Sequence, residues 1–304
     1  MPKLYRHAVV QSIEWGASQP KTRALPATVY AELLLKMSLT VTNGVAPDLS
    51  AEQLAAVLST VDLVLNGNDT LIHVPGFHLY YQHYYDRAIE PPNSIDFSAG
   101  ASVTDKMMLR LPFALTRAVV PEDSVLDGRS QSSRVLQITF AAAAIGTDKT
   151  ITVGTVEIIT SEYAVPKDWT PPIARLELSY LQKSLDKTGE VSIDLDYGGV
   201  NQYKRIWIYT EDNTGAMSDV QIDNIKLRSR SFVYHDFPAD EVQDQNSGDY
   251  AVAPKTGVYV LDLTTHGKMS QRLDARELDE LVLILNSLVS NGTVKIVLEK
   301  AIYV

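Results

Sequence analysis

The feature that most constrains this chain is that its last stretch is written twice. Leu273-Asp274-Ala275-Arg276 runs into Leu281-Val282-Leu283-Ile284-Leu285, passes Asn291-Gly292, and closes on Thr293-Val294-Lys295-Ile296-Val297-Leu298. Upstream the same order recurs as Leu126-Asp127-Gly128-Arg129, then Val135-Leu136-Gln137-Ile138-Thr139-Phe140, then Gly154-Thr155-Val156-Glu157-Ile158-Ile159. The match extends backwards: Phe77 follows Val61 by sixteen residues and Phe237 follows Val220 by seventeen, while residues 33–39 stand opposite residues 203–209. Self-similarity held across several spaced features marks a repeated structural unit. The expectation is two similar all-β domains in tandem.

Composition narrows what such units can be. A chain of 304 residues can bury two cores of ordinary size, and 45% apolar with 21% charged residues is the balance of a globular protein. With no cysteine, disulfides, thiolate catalysis and cysteine-held metal centres are excluded. A net charge of −10 argues against a protein that coats itself in nucleic acid, because phosphate binding needs clustered Lys and Arg. The longest uncharged run, residues 70–85, holds three His and a Pro, so no membrane-spanning helix is expected. Lacking a visible secretory signal, the protein is expected in a host cytoplasm until it is recruited.

Taken in order, residues 1–23 form a slightly basic lead-in, with Lys3, Tyr5, Arg6, Trp15, Lys21 and Arg23 as a candidate arm toward lipid headgroups or packed nucleic acid. Residues 29–42 suit a buried strand or short helix, ended by a turn at Asn43-Gly44. Ser50-Ala51-Glu52-Gln53 has the form of a capping box, and Leu54, Val57 and Leu58 continue it as a helix leading into a strand. His73, His78 and His83 recur at a five-residue step that fits neither a helical nor a strand face, so a metal site is not expected from them. The neighbouring Tyr80, Tyr81, Tyr84 and Tyr85 are the candidate contact between subunits, since clustered tyrosine suits protein interfaces.

Strands at residues 107–115, 134–140 and 151–163 complete the first unit. Pro166, Pro171 and Pro172 then hold the backbone extended and mark the boundary. The expected organisation is an arm over 1–23, a first domain over 24–165, a linker over 166–172 and a second domain over 173–304. In the second domain Val191, Ile193 and Leu195 alternate with Ser192, Asp194 and Asp196 as a half-wet strand requires. Residues 237–250 gather Asp240, Glu241, Asp244 and Asp249 and are expected to be a solvated outer loop; their spacing does not match a calcium-binding loop.

Each half offers about eight short strands separated by turn signals, which suits antiparallel eight-stranded sandwiches with minor helices. Two β-units of this size, a Pro-rich linker, a short aromatic and basic N-terminal stretch and a closing hairpin over residues 281–304 together resemble the double jelly-roll major capsid proteins of tailless icosahedral viruses. In length the chain is closest to the coats of membrane-containing phages of the corticovirus and finnlakevirus kind. The resemblance implies two tandem jelly rolls, a homotrimeric pseudo-hexagonal capsomer in the virion, and neighbouring capsomers and minor capsid or vertex proteins as partners. It further implies outward loops at residues 213–219 and 236–250, and an internal membrane or genome met through the arm. No cofactor is implied.

An enzyme is the first rival, but no nucleophile elbow, zinc-protease, phosphate-loop or dinucleotide motif occurs. Asp194 and Asp196 are neighbours on one strand face, not a placed catalytic pair. A carbohydrate-binding adhesion protein is the second, because exposed Tyr and Trp on a sandwich bind sugars; Trp15 and Trp169 are available, whereas Trp207 sits in an apolar strand and is expected in the core.

Overall fold

The computed structural model describes residues 4–114, 124–169, 175–199, 201–264 and 272–302. The chain divides into two compact units, with the main division between Leu176 and Glu177. In the first unit the elements run β1 (Leu4–Glu14), β2 (Pro20–Ala24), β3 (Val29–Asp48), α1 (Ala51–Ala55), β4 (Leu58–Leu65), β5 (Asp69–Val74) and α2 (Gly76–Arg87). They continue with β6 (Asn93–Ser94), β7 (Ser102–Pro112), β8 (Leu126–Asp127), β9 (Arg134–Phe140), β10 (Ala144–Ile145) and β11 (Thr147–Ala164). The second unit comprises β12 (Arg175–Leu185), β13 (Gly189–Asp194), β14 (Gln202–Glu211), β15 (Ile222–Ser229), β16 (Phe232–Pro238), α3 (Ala239–Tyr250), β17 (Val258–Asp262), β18 (Leu273–Asp274), β19 (Val282–Ser287) and β20 (Gly292–Ile302).

Setting aside the two-residue strands, both units have the same strand order. In the first, one sheet runs β1-β11-β3-β7 and the other β5-β4-β9-β2; in the second the sheets run β12-β20-β14-β17 and β13-β19-β15-β16. Counting main strands within each unit, the first sheet is 1-8-3-6 and the second 2-7-4-5 in both halves. This is the jelly roll, and it is encoded twice. The reason is legible along β3, where Leu33, Leu35, Met37, Leu39 and Val41 are fully buried on one face while Lys36 is exposed on the other. In the second unit Val191, Ile193, Ile206, Ile208, Ile225, Leu227, Leu283, Leu285, Val294 and Ile296 fill one shared core.

Three expectations change. Within the arm expected over residues 1–23, Leu4–Glu14 and Pro20–Ala24 are instead strands: β1 pairs with β11 from Leu4 opposite Ala164 to Glu14 opposite Thr155, and β2 pairs with β9. Both are edge strands, whose wet side admits the polar residues that suggested a tail. Asn43-Gly44 is not a turn, because β3 runs on to Asp48. There a Cβ on Gly44 would meet the Asp148 Cβ at 2.5 Å, and Asn43 uses its amide sideways on the Ser98 carbonyl at 2.8 Å, so the pair serves close strand approach. Residues 239–250 form a helix and not a loop. Ala239, Val242, Asn246 and Tyr250 make its one buried stripe, and the acidic residues face water.

The helices extend the repeat. α1 has the expected reciprocal cap, Ser50 Oγ accepting from Gln53 N at 3.1 Å and Gln53 Oε1 from Ser50 N at 2.9 Å, although it is shorter than expected. Gly76 opens α2 against it, where a Cβ would stand 2.3 Å from the Ala55 carbonyl oxygen. α2 and α3 occupy the same place in the two units, after the fifth strand. Each spans 12 residues, starts after a proline and ends on a left-handed alanine, Ala88 or Ala251. They differ in burial, since α2 is enclosed almost all round.

The register of the repeat also shifts by three residues from the sequence match. Tyr30, not Leu33, is the counterpart of Tyr203: Tyr30 pairs with Leu126 and Tyr203 with Leu273, the two leucines of the repeated Leu-Asp-x-Arg. Each hydroxyl donates to the loop before its strand, Tyr30 to the Pro26 carbonyl and Tyr203 to that of Asp196 at 2.7 Å. Immediately after each tyrosine the ladder skips one residue, Ala31 against β11 and Lys204 against β20. A bulge at one shared position is a conserved turn of the backbone within the chain.

Buried charge gathers beside both bulges with opposite chemistry. In the first unit Glu32 receives Arg110 Nη1 at 3.0 Å, and Glu162 receives Thr160 Oγ1 at 2.6 Å. At the corresponding positions the second unit has Arg205 and Lys300. Arg205 Nε and Lys204 Nζ both donate to Glu299, at 2.6 and 2.5 Å, in a site 1–6% exposed. Burial pushes the Glu299 carboxyl up, but Arg205 and Lys204 outweigh it and hold the group well below the usual carboxylate range.

Three outcomes follow. Glu299→Gln leaves two buried cations short of their partner and should lower unfolding free energy by about 3–5 kcal/mol in urea titration. Tyr81, 1% exposed on α2, should when replaced by Asp abolish folding as read by circular dichroism, where a surface tyrosine would leave the fold intact. His83 is buried with neither ring nitrogen bonded to a protein atom; burial, Arg110 and Arg87 push its imidazole down to about 4 against the opposing pull of Asp86 and Glu32. The unfolded chain takes up that proton below about 6.5, so stability is full above this pH, declines toward pH 4 and changes no further through His83 below it. The thermal midpoint should fall across that window, less in His83→Gln, with the half-buried His235, whose imidazole is also pushed down by burial, contributing in the same direction.

Candidate assembly surfaces

The most specific motif in the sequence, Leu-Asp-x-Arg, makes the same local structure twice. Asp127 accepts from Arg129 N at 3.0 Å, Nε at 2.9 Å and Nη2 at 2.7 Å. Asp274 accepts from Arg276 N at 3.1 Å, Nε at 2.8 Å and Nη2 at 2.5 Å. The aspartate closes a turn with its own arginine while the preceding leucine, Leu126 or Leu273, is buried beside the third strand. At Asp127 burial raises the carboxyl and the Arg129 bonds bring it back below the ordinary range; at Asp274 the Arg276 bonds dominate. Arg129 also donates to the Pro166 carbonyl at 3.0 Å and that of Trp169 at 2.7 Å, holding the stretch that leaves the first unit. The motif is a structural clasp.

The tyrosine cluster does not form a surface. Tyr80, Tyr81 and Tyr85 are 3%, 1% and 1% exposed within a single chain, and only Tyr84 is half-buried. Their rings pack edge to face in pairs, Tyr80 with Tyr81 at 5.2 Å and Tyr84 with Tyr85 at 5.5 Å between centroids, and Tyr80 donates to Glu90 at 2.9 Å. As a subunit contact the first three are therefore corrected: α2 turns them into the core. No amphipathic stripe could have shown this, because a helix enclosed on every side loses its 3.6-residue polarity pattern. His78 and His83 lie on the same helix, and His73 on β5 has its Nδ1 2.5 Å from Asp62.

The six residues of the expected arm are not brought together. Tyr5 and Arg6 pair along β1 opposite Tyr163 and Glu162, and Lys3 lies outside the described residues. Trp15 is half-buried, its backbone N–H donating to the Gly154 carbonyl at 2.9 Å. Lys21 and Arg23 sit on β2, where Arg23 Nε reaches the Ser12 carbonyl at 3.0 Å and ties that strand to β1. Trp207 is fully buried, with the Arg205 guanidinium 4.9 Å over its ring and Tyr209 stacked beside it, so it offers no sugar platform. Asp196 receives Lys300 Nζ at 2.7 Å, while Asp194 lies on β13 opposite Val282. Among the described residues no cluster of three or more His, Asp or Glu could hold a metal ion, and no helix is long and apolar enough to cross a membrane.

What the described surface does present is apolar side chains on strand edges. Phe232, Val233 and Phe237 on β16 are 62%, 42% and 38% exposed, and Val9 on β1 is 69% exposed. Sequence reasoning placed Phe237 in the repeat but missed the edge, because exposure of a strand depends on which partners lie beside it.

Comparisons with known proteins agree with this geometry. Residues 176–301 match the family model described as viral coat protein P2 C-terminal domain. No curated protein sequence matches the chain. Among solved structures, the major capsid protein of Sulfolobus turreted icosahedral virus superposes with a TM-score of 0.79 at 16% identity, over 99% of this chain and 97% of that one. The major capsid protein P2 from bacteriophage PM2 gives 0.71 at 13% identity over 99% and 98%, and VP54 of the virus PBCV-1 gives 0.67 at 9% over 98% and 94%. At such identities these likenesses concern the fold; the coat-protein match over the second unit carries the role. With a viral coat protein domain matched over its second unit and one jelly roll encoded twice along its length, this chain has the double jelly-roll fold and the role of a structural coat protein of the virion.

Proposed function

We propose that three copies of this chain close around a threefold axis, so that six jelly rolls form a six-sided capsomer that tiles an icosahedral shell. The observation that supports this is the shared strand order of the two units, down to the bulges at Ala31 and Lys204 and the helix after the fifth strand. Two near-equivalent units per chain convert threefold symmetry into an outline with six similar sides. Identical chains meeting through unlike surfaces close into rings when the rotation allows, and a ring of three is the smallest beyond a dimer. A six-sided block cannot fill the fivefold corners of an icosahedron, so minor capsid or vertex proteins are further partners, beside neighbouring capsomers. The exposed acidic residues of α3, Asp240, Glu241, Asp244 and Asp249, suit an outer surface that stays soluble at high copy number.

An obligate trimer should bury roughly 2,000 Å² or more in its interfaces. Size-exclusion chromatography with light scattering on the full chain should give about 101 kDa, three times the chain mass of 33.6 kDa, and electron microscopy should show six-sided plates or shells. A protein that stays at one chain mass at every concentration, with no particles, would refute the reading.

A further inference from the structure

The edges of the sheets differ in how they are guarded. Among the described residues β16 pairs with β15 alone, so its other side is open. β13 is also an edge, but its outward residues are Glu190, Ser192 and Asp194, and β2 carries Lys21 and Arg23; charged edges resist pairing. β17 is covered by α3, whose Asn246 brackets Val260 with two bonds of 2.8 Å, its amide donating to the carbonyl and its oxygen accepting from the N–H. β16 has none of these devices. Its rings are arranged along the edge, Phe232 against Tyr234 at 4.7 Å and His235 against Phe237 at 4.8 Å, and its charged residue, Asp236, is engaged by Lys226 at 3.0 Å.

The repeat makes this bareness informative. β5 holds the same place in the first unit, and its Leu71, Ile72 and Val74 are all fully buried. The equivalent strand of one fold is thus enclosed in one unit and exposed in the other. Among the described residues β1 is a further long edge strand: it pairs with β11 alone and shows Val9 to solvent.

We propose that the β16 edge, through Phe232, Val233 and Phe237, is the surface on which a second copy of this chain docks, with β1 of that copy around Val9 as its counterpart. The two edges are different surfaces, so the contact is head to tail and leaves one β16 and one β1 free on an open chain of copies until a ring closes. Aromatic side chains at an edge supply the large apolar area that anchors such contacts. The proposal rests on the capsomer reading above and adds its contact surface.

Because the chain has no cysteine, cross-linking gives a clean test. Full-length Val9→Cys/Val233→Cys, oxidised, should run on a non-reducing gel at two and three chain masses and return to one chain mass on reduction. In parallel, Phe232→Asp/Phe237→Asp should keep its circular dichroism spectrum and lose the oligomer that the parent protein forms. If the parent is oligomeric while the cysteine pair stays at one chain mass, or the aspartate variant remains oligomeric, this surface is wrong and the capsomer reading survives. A parent that is never oligomeric overturns both. Should the aspartate variant fail to fold, the cross-link decides alone.

Discussion

Each unit is closed by its last strand. β11 lies between β1 and β3, and β20 between β12 and β14, so the final strand of a jelly roll is inserted between its first and third. Until it arrives, the apolar face of the first sheet is split and the opposing sheet has no continuous partner to cover its own. The pairings are long in sequence, Leu4 with Ala164 and Tyr203 with Lys300, and must offset the loop-closure entropy of everything between. This explains why the closing stretch is the best preserved part of the repeat. A strand hydrogen-bonded on both sides, with Val156 and Ile158 or Val294 and Ile296 buried beneath, tolerates little change.

The same backbone is held by different chemistry in the two halves. At matching positions beside the bulge, the first unit buries Glu32 and Glu162 and the second buries Arg205 and Lys300. What is shared is that a bulge leaves the ladder irregular and the site is covered, so whichever polar group sits there must be fully bonded. A buried charge network is expensive to desolvate and adds little net stability over apolar packing, but it admits few alternative registers.

For a shell protein the exterior of the sheets matters as much as the interior. Three of the edges are guarded by charge or by a helix, and the β16 edge carries exposed rings. In the docking proposed above, removing those rings from water would stabilise the contact without any rearrangement of the core.

The repeat, the all-β class, the strands at 134–140 and around 191–196, the α1 cap and the buried place of Trp207 were legible in the sequence because each rests on local chemistry: alternation, a capping hydroxyl, turn residues at fixed spacing. Leu-Asp-x-Arg was visible as a repeated pattern, and its aspartate–arginine turn is local as well. What the tertiary structure alone decided is what each element lies against. Tyr80, Tyr81 and Tyr85 read as surface because they are tyrosines, and they are core because α2 is enclosed; residues 4–14 read as a tail because they are polar, and they are a strand because β11 offers an unpaired edge. A side chain's chemistry is written at its own position, whereas its burial is set by residues a hundred or more positions away, and no local pattern encodes that.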